Sequence, residues 1–414
     1  MSATEPEPGA VDFLFAPQRL RRMALTMVIV AVLLLAWRLY WQTSAGLTDG
    51  LGHPFGEDFL NFWSGGALAS AGRAGEIYDM RAFHQFQVAT VGHEIDLYHY
   101  SYPPVMLLLT LPLGLMSYPI AWALWTVLGW LAFALCVRRI VPRHWALYAA
   151  ALPAVMISAA GGQNGCWTAA ILACGLLLLR PRPVLAGLVL SLLIYKPQLG
   201  WLVPLALLAG GHRRAFVGMA AGSLFLLGST LLAFGVGIWS AYLGQAEILR
   251  IVIVEEGTGT WHRMISAFVF VRHLGLSVAT SYAVQAVVSL GVLVITIQVW
   301  RSEASDPIKY AVLLLGLLIA SPYVSDYDLV VAGVAVAWLW PEADSRGRLA
   351  LAVAVTAPLL VASLATWTGI AVGALLLWPA FAHAVATAAA VVRTPAVPSA
   401  DHPSSAGTVS DRPA

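Results

Sequence analysis

Apolar runs close to the roughly 20 residues needed to cross lipid recur along most of this chain, separated by short polar breaks. They fall at 24–41, 119–137, 144–161, 164–180, 182–196, 198–211, 215–235, 277–300, 308–321, 328–341, 349–366 and 369–391. The pattern predicts an all-α polytopic membrane protein with about twelve transmembrane helices. One long stretch departs from it. Residues 42–118 are acidic and aromatic, with Glu57-Asp58-Phe59, Gly65-Gly66, Tyr78-Asp79 and Tyr100-Ser101-Tyr102-Pro103-Pro104. This stretch reads as a large loop hung on the membrane scaffold.

Basic residues set the orientation. Arg19, Arg21 and Arg22; Arg138, Arg139 and Arg143; Arg180 and Arg182; Arg213 and Arg214; Arg301 and Lys309; and Arg346 and Arg348 all fall on one side under this segmentation. The positive-inside rule makes that side cytoplasmic. Counting the apolar run Pro103–Met116 as a span would put Arg138, Arg139 and Arg143 outside. It is therefore expected to fold against the outer surface, in part re-entrant. The start of the chain imitates a signal peptide, but Trp37, Tyr40 and Trp41 suit a membrane interface better than a cleavage site, so the first helix is expected to stay. The division that follows is a cytoplasmic tail at 1–22, a transmembrane domain at 23–392 containing the 42–118 loop, and a disordered tail at 393–414.

Composition sharpens this picture. The 414 residues are 59% hydrophobic and 11% charged, with mean hydropathy +0.78, against about a quarter charged in soluble domains. A net charge of +2 gives no basis for a nucleic-acid partner. Cys136, Cys166 and Cys174 lie inside apolar runs and read as small core hydrophobes. No internal repeat and no mid-span acidic residue points to a transporter.

Under the same segmentation, polar groups distant in sequence reach one outer face: the first loop, Gln163-Asn164, Lys196, the 236–263 segment and 321–328. Asp58, with Glu57 beside it, is either a helix cap or a general base. Lys196 is one of two lysines in the chain, at a helix end where it serves as a snorkelling anchor or binds phosphate. Arg263, beside Trp261 and His262, has the same two readings. Gln163-Asn164 and one Asp of Asp326-Tyr327-Asp328 read foremost as helix-start residues, and Glu255-Glu256 as solvated charge. Aromatics such as Trp63, Tyr78 and Trp261 are belt residues or sugar-site walls. His53, His84, His93 and His99 lack a compact metal-ligand spacing.

An ordered series now stands out: Asp58-Phe59, Gly72, Ile77-Tyr78-Asp79, Tyr102-Pro103-Pro104, Leu111-Pro112-Leu113, Ala121, Leu124-Trp125, Gly162-Gln163, Ala186-Gly187, Tyr195-Lys196-Pro197 and Ser321-Pro322. It resembles glycosyltransferase family 87, membrane enzymes of the GT-C fold, over roughly Gly56 to Trp340. The resemblance implies a polyprenyl-phosphate-linked sugar donor, often mannose, used outside the cytoplasmic membrane on a glycan or glycolipid acceptor. It implies Asp58 as the base with Glu57 in reserve, and Lys196 and Arg263 on the donor phosphate. Tyr78, Tyr102, Gln163, His262, Tyr327 and Asp328 are its expected substrate contacts. The donor is a substrate, so no cofactor is expected, and metal dependence stays open. Members often carry His near the position of Tyr327 or Asp328, and this chain does not. A non-catalytic lipid-glycan transporter or flippase, and an inactive scaffold, are the alternative readings.

Overall fold

The computed structural model describes Phe13 and residues 15–393. The expected disordered C-terminal tail, apart from its first residue, and most of the N-terminal tail lie outside the described residues. Among the described residues twenty α-helices give the frame: α1 (Pro17–Gln42), α2 (Phe59–Ser70), α3 (Met80–Val91), α4 (Val105–Gly114), α5 (Tyr118–Ile140), α6 (Trp145–Ala151) and α7 (Pro153–Ala160). They continue with α8 (Gly165–Leu178), α9 (Pro183–Ser191), α10 (Pro197–Gly200), α11 (Leu202–Ala209), α12 (Arg213–Phe234), α13 (Gly237–Leu249) and α14 (Ala267–His273). The last are α15 (Val278–Arg301), α16 (Asp306–Ala320), α17 (Val330–Leu339), α18 (Ser345–Thr368), α19 (Gly373–Leu376) and α20 (Trp378–Arg393). No strand occurs among the described residues. The chain is an all-α polytopic membrane protein.

Proline cuts one of the predicted runs and opens another. Pro153 and Pro183 stand in the first turns of α7 and α9, where the missing N–H costs nothing. The 144–161 run is therefore two helices joined at Leu152, and 182–196 ends in a 3-10 turn over Leu192–Tyr195 before Lys196 and Pro197 restart the chain. Among the described residues, seven helices are long and apolar enough to cross a membrane. Six answer to predicted spans. The seventh, Gly237–Glu255, is a correction, because a loop was expected there. Its start packs Ile238 and Tyr242 with Tyr78 and Tyr100 of the first loop, and its end packs Leu249 and Ile253 with Met264 and Tyr323. Both ends thus meet the same end of the molecule, and the helix runs along it.

The core is α16 against α17. From Tyr310 to Ala320 every residue of α16 is buried, and so is all of α17 apart from Trp338. Lipid offers no hydrophobic drive between helices, so close packing must hold them. Glycines supply it: a Cβ at Gly187 would stand 2.0 Å from the Ala215 carbonyl oxygen, and one at Gly66 2.3 Å from that of Thr110. The second contact fastens α2 to α4, two helices too short to span. Val105–Gly114 accordingly forms a short apolar helix packed on the first loop.

The ends of the bundle differ. At one, Arg180 forms a bidentate pair with Asp306 (2.6 and 2.7 Å), Trp300 Nε1 donates to the Lys309 carbonyl (3.0 Å), and Phe15 meets Trp340 (5.3 Å). At the other end stand the first loop and the chain breaks around 161–164, 196 and 321–328.

Candidate active site

The first loop delivers two carboxylates through an unusual turn. Glu57 adopts φ +45°, a left-handed conformation uncommon for a residue with a side chain. Its carboxylate accepts hydrogen bonds from Arg38 and from Gln42 Nε2 (3.3 Å). Asp58 occupies the N-cap position of α2, yet its side chain accepts nothing from the helix backbone. Gln163 Nε2 donates to Asp58 Oδ2 instead. The capping reading of Asp58 is thereby corrected.

Gln163 reaches Asp58 because the 161–164 turn lies directly against the first loop. Gly162 has φ +56°, and a Cβ there would be 2.4 Å from that of Phe59. Trp125 Nε1 donates to the Gly162 carbonyl (3.1 Å), which holds the turn in place. Asn164 also caps nothing: its Nδ2 donates to the Tyr102 hydroxyl (2.9 Å) and its Oδ1 accepts from Lys196 Nζ (3.0 Å). Both members of the Gln-Asn pair therefore use their side chains in the site rather than at the helix start.

Lys196 is corrected as well. It is 1% exposed, so it is no snorkelling anchor. Its Nζ donates to Asp328 Oδ1 (2.5 Å) and stands 4.8 Å from the centre of the Tyr327 ring. Asp328 also accepts from the Ser325 backbone N–H (3.1 Å), completing a capping box. Its helix-start role holds, with an ion pair added. Asp326 takes a different cation: Arg263 Nη2 and Nε donate to it at 2.9–3.2 Å. Arg263 stays partly exposed while Lys196 is sealed. A short bridge between Met264 and Ser325 ties these two segments together.

Asp58, Gln163, Arg263, Tyr102, Tyr327, Asp328 and Lys196 thus form one cluster. Tyr78 stands behind it, its hydroxyl donating to the Tyr102 carbonyl (2.8 Å). His262 is exposed beside Arg263. Sequence reasoning missed Arg38, Asn164 as an organising residue, and Tyr323, whose ring faces the same charges. Arg38 was hidden inside an apolar span, and the other two carried no motif. Glu255 was read as solvated, but it accepts from the Tyr282 hydroxyl (2.9 Å) and pairs with Arg250.

The electrostatics favour a proton acceptor. Burial pushes the Asp58 carboxyl up to about 6, with Glu57 adding to the rise, while Arg263, Gln163 and Arg38 hold it down. At neutral pH it is ionised and poised close to the working range of a general base. A hydroxyl brought to Asp58 can lose its proton there, with a guanidinium nearby for an anionic group.

Compared with known proteins, residues 100–322 match the sequence profile of glycosyltransferase family 87. Neither curated proteins nor solved structures returned a match. The matched stretch holds Tyr102, Gln163, Lys196 and Arg263, whereas Asp58 and Tyr78 precede it. Since it spans more than half of the 414 residues, the chain belongs to glycosyltransferase family 87 and is by family a membrane glycosyltransferase.

Proposed function

We propose that this protein transfers a sugar, most simply mannose, from a polyprenyl-phosphate donor to a glycan or glycolipid acceptor on the outer face of the cytoplasmic membrane, and that its helices follow the GT-C arrangement. The observation that carries the reading is Asp58: a carboxylate at a helix start that leaves the helix uncapped, is held by Gln163, and has its pKa raised to about 6. In the proposed reaction Asp58 takes the proton of an acceptor hydroxyl as that oxygen bonds to the anomeric carbon. The bond from that carbon to the phosphate oxygen breaks, and its electron pair leaves with the lipid phosphate. Arg263, partly exposed and steered by Asp326, is the cation suited to the charge that gathers there. Lys196 is a positioning residue in this reading, since its donors are engaged by Asp328 and Asn164. Tyr102, Tyr323 and Tyr327 give the sugar aromatic walls.

A transporter would need polar groups along its path. Here the ion pairs gather at the two ends, and α16 and α17 between them are apolar, which supports transfer chemistry. The test is a panel of labelled polyprenyl-phosphate sugars and nucleotide sugars given to membranes holding the protein. Label moving from one lipid-phosphate donor into product is the expected result. Transfer from a nucleotide sugar alone would overturn the proposed donor class.

A further inference from the structure

The described residues include five buried glutamines: Gln42, Gln87, Gln163, Gln245 and Gln285. Four of them are paired. Gln42 ties α1 to the Asp58 turn through Gly56 and Glu57, Gln87 donates to Asn61, and Gln163 donates to Asp58. Gln285 accepts from the Phe268 N–H (3.0 Å) and donates to the Ser289 hydroxyl (3.1 Å) and the Ala320 carbonyl (3.2 Å). Gln245, on α13, is 5% exposed, and among the described residues neither its amide nitrogen nor its amide oxygen has a partner. Buried amides ordinarily keep at least one hydrogen bond, because an unpaired one gives up its hydration for nothing. An amide open at both ends suits a ligand that donates and accepts at once.

Its place on the helix fixes where that ligand lies. Ile238, Tyr242, Gln245 and Leu249 recur at three- and four-residue intervals and form the covered, inward face of α13. One turn before Gln245, the Tyr242 ring stands 5.7 Å from that of Tyr78, whose hydroxyl donates to the Tyr102 carbonyl. One turn after it, Leu249 packs in the cluster of Met264 and Tyr323. Gln245 therefore faces the gap between Tyr102 and Tyr323. Burial raises the Tyr102 phenol well above its usual range, with Tyr323 the next contributor. Burial raises the Tyr323 phenol too, with Asp58 and Asp328 adding to the rise and Arg263 opposing it. Tyr323 thus stands within electrostatic reach of both the candidate base and the cation suited to phosphate. Toward the site α13 rests on apolar contacts: among the described residues, its side chains make one hydrogen bond to another element, from Trp239 Nε1 to Thr230 on α12 (3.0 Å). Admitting a sugar ring beside Gln245 slides aromatic rings and breaks no polar tie.

We propose that Gln245 is a specificity-determining residue for the transferred sugar, its amide pairing with hydroxyls of the ring held between Tyr102 and Tyr323. This deepens, and rests on, the transferase reading above. A sugar hydroxyl both donates and accepts, so two adjacent hydroxyls answer both ends of one amide. The donor sugar is favoured over an acceptor sugar because it is the ring joined to the phosphate, and the Tyr323 side of the gap is the Arg263 side. A hydrocarbon chain in the same place would leave the amide as unpaired as before.

The test is equilibrium binding to the purified full chain in lipid nanodiscs, which needs no turnover. The probes are bare polyprenyl phosphate, polyprenyl-phosphate mannose and the monodeoxy forms of that mannose. Wild type is expected to bind polyprenyl-phosphate mannose more tightly than bare polyprenyl phosphate, and to lose about tenfold or more when one particular hydroxyl is removed. Gln245→Met keeps the length of the side chain without its polar ends. It should abolish that discrimination while binding bare polyprenyl phosphate as wild type does, and it should melt no lower, since no internal hydrogen bond is lost. Gln285→Met, which strips the pairs named above, should melt lower and keep the sugar preference. Gln245→Leu gives the same reading if the Met variant does not fold. Discrimination that survives in Gln245→Met would overturn the proposal, and a lowered melting temperature beside it would make Gln245 a structural amide served by buried water. Equal binding of every deoxy form by wild type would overturn it too. Wild type binding polyprenyl-phosphate mannose no more tightly than bare polyprenyl phosphate is a separate failure: it would overturn the mannose donor of the transferase reading, and this proposal with it.

Discussion

Among single residues, the partner that holds Asp58 decides its chemistry. A carboxylate before a helix ordinarily accepts from first-turn N–H groups; this one accepts from Gln163. Its acidity is set first by burial, which raises it to about 6, while the Gln163 hydrogen bond lowers it. The base must be ionised to act. Transfer should therefore fall as pH drops through about 6, approaching tenfold per unit below it. Gln163→Leu removes an interaction that favours the ionised form, so the acid limb should move to higher pH. A pH profile with the same limb in both proteins would show that Gln163 does not tune Asp58. The linkage to stability has a definite sign. The folded value lies above the ordinary 3.8, so this group favours folding below that value and the contribution is lost as pH rises through about 6. At pH 7 the ionised carboxylate opposes folding, and Asp58→Asn should melt no lower than wild type. Lys196 behaves differently, because it and Asp328 are both sealed from solvent. Lys196→Met leaves a buried carboxylate unpaired and should cost about 3–5 kcal/mol. Lys196→Met combined with Asp328→Asn should recover much of that loss in thermal melting, since Asn keeps the capping capacity. A double variant no more stable than the single one would contradict the pairing.

At the scale of elements, most helices were legible because runs of apolar residues admit little else in lipid. What hydropathy could not show was where proline divides a run, as at Pro153, or which way a helix lies. The Gly237–Glu255 segment illustrates the second failure. It lies outside the predicted spans, with Glu255 read as solvated charge, and in the structure it is a helix whose two ends meet the same polar end. The side chains of Gln163 and Asn164 show a related limit: residue types that favour caps were assigned to caps, and only tertiary contacts reveal other partners. The orientation of these elements has its own test. Ala89 is exposed on α3 in the first loop, and Arg214 is exposed at the start of α12. With a membrane-impermeant thiol reagent, Ala89→Cys should react in intact cells and Arg214→Cys after permeabilisation. The reverse pattern would place the Asp58 cluster on the cytoplasmic side.

At the scale of the whole molecule, the two ends have distinct chemistry, and that division was readable from arginine-rich breaks alone. The convergence of Gln163, Lys196, Arg263 and Asp328 on the first loop followed from it. Their pairing did not, because which cation meets which carboxylate depends on packing between helices. The account makes Asp58 the base of a sugar transfer from lipid phosphate. The most direct measurement is turnover by purified protein in liposomes with the labelled polyprenyl-phosphate sugar that the membrane panel selects, comparing wild type with Asp58→Asn. Asn matches Asp in size and capping but cannot take the proton. The expected result is a fall in turnover of about 10²–10⁴, with melting temperature unchanged or higher and Glu57→Gln much milder. Turnover of Asp58→Asn within about threefold of wild type would contradict the account.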